Sequence, residues 1–157
     1  MRVKHFLVGG IALIPLLMGA AREDLQRGRY LVQVGGCNDC HTPGYGQAAG
    51  KIPEARWLTG NAVGFKGPWG VTFPVNLRLL ANGMTERQWL DRVVQPALPP
   101  MPYFNLQAMS DSDRRAIYQY LRSLGPLGTP APNDIAPGES LRGVSFIDVT
   151  PQLAAKD

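Results

Sequence analysis

The sequence predicts a small all-α domain, and three observations carry that prediction. Two capping boxes, at Thr85 and Ser110, each open a run of apolar residues at helical spacing. A third apolar face recurs between Arg22 and Val34. Residues 41 to 83, by contrast, follow neither the helical nor the strand period, a long stretch for a loop in a compact domain, so something besides backbone ladders must organise it. The 157 residues suit one domain, and 14 Pro and 18 Gly keep its regular elements short. A collagen-like chain is excluded by the lack of a Gly-X-Y period, and a disordered one by the clustered apolar residues.

Taken in order, residues 1–21 read as a secretory leader. Arg2 and Lys4 precede an uncharged run from Phe6 to Met18, and Gly19, Ala20 and Ala21 follow, with cleavage expected after Ala21. Thirteen residues interrupted by Pro15 fall short of the ~20 that span a bilayer. A lipid anchor at the new N-terminus would need a cysteine there, and the cysteines are Cys37 and Cys40. The mature chain is therefore expected to be exported, without a transmembrane span, into a compartment that permits oxidised sulfur. Without Arg2 and Lys4 the 16 basic residues become 14 against 12 acidic ones, no basis for nucleic-acid binding.

The first helix is expected from Arg22 to Val34, with Leu25, Tyr30, Leu31 and Val34 on its apolar face and Gly35-Gly36 ending it. Thr85 with Gln88 caps a helix carrying Trp89, Leu90, Val93 and Val94, which Pro96 stops. Ser110 with Asp113 caps another, whose stripe is Ile117, Tyr120, Leu121 and Leu124 before Gly125-Pro126. Arg114 and Arg115 on that helix read as a solvated face. Residues 125 to 138 form an extended Pro/Gly segment, and the last twenty residues carry no motif.

The chemistry is concentrated in Cys37-Asn38-Asp39-Cys40-His41. In an exported chain, C-x-x-C-H is the attachment pattern of haem c. Two thiols three positions apart on a helical turn can each add across one haem vinyl group, and the next residue brings an imidazole beneath the iron. A thioredoxin-like dithiol needs no such histidine and sits after a strand of a β-α-β unit. A structural zinc site would lack a fourth ligand, because the expected mature chain holds two Cys and one His. A local disulfide is the remaining alternative.

With His41 the one histidine outside the leader, bis-histidine coordination within one chain is excluded. Met84, Met101, Met109, a lysine or an open position remain for the distal side. Met101 is favoured, because the prolines of Leu98-Pro99-Pro100-Met101-Pro102-Tyr103 restrict the loop and lower the entropic cost of holding a weak thioether on iron. Met84 and Met109 precede helix caps, where packing is the expected job.

These features resemble the monohaem cytochrome c family of the class I type, and more closely the cytochrome modules that accept electrons in bacterial periplasmic dehydrogenases. The residues that carry the resemblance are Gly28-Arg-Tyr-Leu-Val32 before CNDCHT, Trp69-Gly-Val-Thr followed by Asn76-Leu77, Pro99-Pro-Met-Pro-Tyr103, and the run from Met109 to Pro126. It covers residues 22–127, leaving 128–157 as a C-terminal extension without a counterpart. It implies the small cytochrome c fold, in which first and last helices cross and residues 41 to 83 wrap one covalent haem c. Arg78 and Leu79 depart from the usual Thr-Pro, which weakens any propionate contact carried over to Arg56, Trp57, Trp69 or Asn76.

A histidine and a methionine filling both axial positions suit a carrier of single electrons rather than an oxygen-activating centre. The expected location is the periplasm, and the expected partners are redox proteins: a periplasmic dehydrogenase, an oxidase or a reductase. The alternatives are an electron-accepting subunit of such a dehydrogenase, a haem sensor or small-ligand binding protein, and a peroxidase, which would want an open iron face and a distal acid-base group. The aromatic residues are expected to pack rather than to conduct.

Overall fold

The computed structural model describes residues 14–152, with side chains from residue 22 onward; most of the expected leader, residues 1–13, lies outside the described residues. The elements are helices α1 (Ile14–Val34), α2 (Cys37–His41), α3 (Leu77–Asn82), α4 (Glu86–Val93), α5 (Tyr103–Ala108) and α6 (Asp111–Leu124). A single 3₁₀ turn spans Glu54–Arg56, and strands β1 (Val63–Gly67), β2 (Gly70–Thr72) and β3 (Ser145–Asp148) form a small sheet. The chain is thus rich in helix without being purely all-α, which corrects the fold class read from the sequence. No helix among the described residues is long and apolar enough to cross a membrane.

Both predicted caps operate. Thr85 Oγ1 accepts from Gln88 N, and the Gln88 side chain answers at Thr85 N. Ser110 Oγ accepts from Asp113 N, but the Asp113 carboxylate turns away to Arg27 on α1, 2.8 Å from its Nε. Helices α1 and α6 cross at Gly28, where a Cβ would overlap the Ala116 carbonyl oxygen. The buried face of α1 is accordingly Gly28, Leu31 and Val32 with Leu25 beside it, whereas Tyr30 and Val34 are exposed. The expected face was displaced because its centre is a glycine, which leaves no mark in an apolar pattern.

Around that crossing pack Trp89 and Val93 of α4, Ile117, Tyr120 and Leu121 of α6, and Trp57 and Leu58 from the loop after α2. Trp57, whose indole donates to Ile52 O at 2.7 Å, and Leu58 are both buried. Arg115 is exposed and pairs with Glu86, as a solvated face would. Arg114 is not: its side chain is 12% exposed, and Nη1 donates to the Leu106 and Met109 carbonyls at the end of α5.

Two features lie where no periodicity was legible. Strands β1 and β2 form an antiparallel hairpin closed at Gly67 and Gly70, and the Trp69 ring lies against Gly67. The last twenty residues contribute β3, which pairs in parallel with β1, so the strand order is β2-β1-β3. Strands of three to five residues are too short to show a two-residue period, and more than half of the pairing comes from a segment 82 residues away.

Arg78, the departure noted above, is buried, and its guanidinium donates to the carbonyls of Ala55, Leu124 and Gly125. It ties the 3₁₀ turn and α3 to the unsatisfied carbonyl end of α6.

Candidate functional site

Gly36 prepares the C-x-x-C-H turn: it stands before α2 at φ 69°, in the left-handed region open to glycine, and lets the chain reverse out of α1. Within α2, Asn38 is buried and its Oδ1 accepts from Thr42 Oγ1, which in turn accepts from Leu58 N. The His41 carbonyl accepts from Gly60 N. The turn is therefore anchored to the loop through Leu58 and Gly60.

Cys37 and Cys40 are both free thiols, three residues apart on that turn. Burial, the largest influence, pushes the Cys37 thiol up to about 11 and moves Cys40 in the same direction, so both sulfurs keep their protons near neutral pH. His41 is buried, and its Nδ1 lies 2.7 Å from Val75 O. A carbonyl only accepts, so Nδ1 carries the proton and Nε2 keeps its lone pair. Burial lowers the His41 pKa against the opposing pull of the Val75 bond, which favours the neutral ring that a metal requires. Among the described residues no three His, Cys, Asp or Glu side chains converge as a cage for a bare ion. Two free thiols three residues apart, beside a neutral, oriented imidazole, fit the attachment chemistry of haem c.

Met101 is half-buried in the loop before α5. That loop is tied to the sheet through Pro99 O, which accepts from Thr72 Oγ1 at 2.7 Å. Thr72 stands three residues before Val75, so the segment 72–75 holds the methionine loop at one end and the histidine at the other. Met84 is half-buried, its carbonyl accepting from Tyr118 OH. Met109 packs against the core beside Gly35.

Of the residues considered for a propionate, Asn76 donates to Leu127 O and Thr129 O, Trp57 to Ile52 O, and Arg56 is exposed. Trp69 Nε1 is buried without an acceptor. A cavity of about 330 Å³ between α3 and residues 130–134, and one of about 240 Å³ beside Pro43 and Arg56, include neither thiol nor His41 nor Met101. Sequence reasoning missed Val75, whose role is carried by its carbonyl and leaves no residue-type signal.

Residues 25–125 match the family model described as Cytochrome c. No curated protein and no solved structure matches the chain. Proteins of that family bind haem covalently through C-x-x-C-H and transfer electrons, and residues 37–41 place that motif on one helical turn. The match spans more than half of the sequence and takes in α2, the hairpin and all of α6, so the chain belongs to the cytochrome c family.

Proposed function

We propose that this chain is an exported, periplasmic carrier of single electrons in which Cys37 and Cys40 hold one haem c by thioether bonds, His41 is the proximal iron ligand and Met101 the distal one. The observation that carries the reading is the commitment of His41 Nδ1 to Val75 O, which leaves Nε2 as a fixed donor on the turn that bears both free thiols. The bound haem supplies the one-electron couple. The protein orients the imidazole, raises its basicity through the Val75 carbonyl, and keeps water from the ligand bonds. Trp69 Nε1, a buried donor lacking an acceptor, is the residue best suited to bond a propionate, and residues 41 to 83 would wrap the group. Redox proteins of the same compartment are the partners.

The test is expression with a haem c maturation system. Pigment should stay on the polypeptide through acid-acetone extraction, and Cys37→Ser with Cys40→Ser should abolish that retention. Covalent pigment on the doubly substituted chain, or none on the wild type, would sink the reading.

A further inference from the structure

Residues 127 to 135 lie beyond the family match and run back along the segment that presents Val75 O to His41. Their bonds fall on both sides of that carbonyl. Val71 and Ile135 exchange both backbone hydrogen bonds, at 2.9 and 2.8 Å. Asp134 Oδ1 accepts from Phe73 N at 2.8 Å, and Asn76 Nδ2 donates to Leu127 O at 2.8 Å and Thr129 O at 3.1 Å. Pro74 between them has no N–H to give. On its other face the segment is held by Asn61 N, which donates to Pro74 O, and by His41 itself.

We propose that this C-terminal strap is the positioning element of the proximal ligand, and that Asp134 is its positioning residue, acting on His41 through Phe73 N and the Val75 carbonyl. The proposal rests on the reading of His41 as an axial ligand. Phe73 is buried, and the carboxylate oxygen is the acceptor its N–H finds, so removing that oxygen strands a backbone donor two residues from the carbonyl that fixes the imidazole. Asp134 is exposed, where water screens its charge. Its effect on the site is therefore one of geometry as an acceptor, a property that its amide isostere shares and its charge does not supply.

Three full-length holoproteins test this: Asp134→Ala, Asp134→Asn and, outside the strap, Lys66→Ala, which breaks the exposed pair between β1 and Asp148 of β3. The first readout is the exchange rate of the His41 Nδ1 proton with solvent in the reduced protein, followed by nuclear magnetic resonance. Loss of one partly buried hydrogen bond should raise it about fivefold in Asp134→Ala. Asp134→Asn and Lys66→Ala should remain near the wild-type rate, and the amides of Leu31 and Leu121 should keep their protection in all three. The second readout is the reduction potential, which should rise in Asp134→Ala, because a looser Nδ1 bond makes a less basic ligand and stabilises the ferric state less. Asp134→Asn should return it to the wild-type value. Equal shifts in the Ala and Asn variants would mark a simple charge effect and overturn the proposal, as would an unchanged exchange rate in Asp134→Ala. A wild-type spectrum indifferent to His41→Ala would overturn the ligand reading and this proposal with it, whereas a His41-dependent spectrum with inert Asp134→Ala overturns the proposal alone.

Discussion

Gly28 and Ala116 meet backbone to backbone where α1 crosses α6: a Cβ built on Gly28 would overlap the Ala116 carbonyl oxygen and stand 2.7 Å from Cβ of Tyr120. Neither contact is the tip of a flexible side chain, so Gly28→Ala must separate the helices. It should destabilise the holoprotein by about 1–3 kcal/mol, despite the better helix propensity of alanine. Denaturant unfolding followed by far-ultraviolet circular dichroism measures this, and a variant as stable as the wild type would refute the close crossing.

The distal ligand is testable through three observables. Met101→Ala should remove the weak near-infrared sulfur-to-iron band, open the ferrous iron to carbon monoxide, and lower the reduction potential, because a thioether donor favours the reduced state. Met84→Leu and Met109→Leu should leave all three nearly unchanged, since the swap roughly conserves volume. Loss of the band in Met109→Leu alone would reassign the ligand.

Arg114 and Arg115 are neighbours with different duties. Arg114 holds the Leu106 and Met109 carbonyls from a nearly buried position, so Arg114→Ala should cost about 1–3 kcal/mol. Arg115→Ala breaks an exposed pair with Glu86 and should cost less than about 1 kcal/mol. Equal costs in the same unfolding experiment would contradict the assignment.

A pH dependence follows from Glu54, which accepts from Tyr120 OH and from Arg29 Nε, each at 2.8 Å. Burial is the largest influence and pushes the carboxyl up, but Arg29 and Tyr120 together outweigh it and hold it below its ordinary 4.5. A carboxyl depressed on folding stabilises the protein above its ordinary value, and that contribution is lost as pH falls through the folded one. The denaturant midpoints of wild type and Glu54→Gln should therefore differ by a constant amount above about pH 4.5 and converge below it. Arg29 and Glu54 are more than a third exposed, so salt should shrink the gap. Midpoints that kept their full separation at pH 3 would rule the linkage out.

What the sequence made legible was local. The boxes at Thr85 and Ser110, the stripe of α6 and the five residues of the C-x-x-C-H turn each state their chemistry within one or two helical turns. The missing parts are relationships across distance. Val75 matters for a carbonyl that every residue possesses, β3 becomes a strand by pairing with β1, and Asp134 looks like any turn aspartate until Phe73 N is set beside it. Arg114 was misread because a helix surface is solvated only where no other helix ends upon it.

The buried Arg78 also bears on how the strap finds its place. Phe73 and Asp134 are 61 residues apart along the chain, a wide loop to close from an open state. Once Arg78 grips the Leu124 and Gly125 carbonyls, the path between them shortens to roughly fourteen residues, two doublings fewer, which lowers the closure entropy by about 1 kcal/mol. The guanidinium thus raises the local concentration of the strap at the segment beneath His41. A residue that touches neither thiol nor imidazole would in this way govern how often that segment stands open.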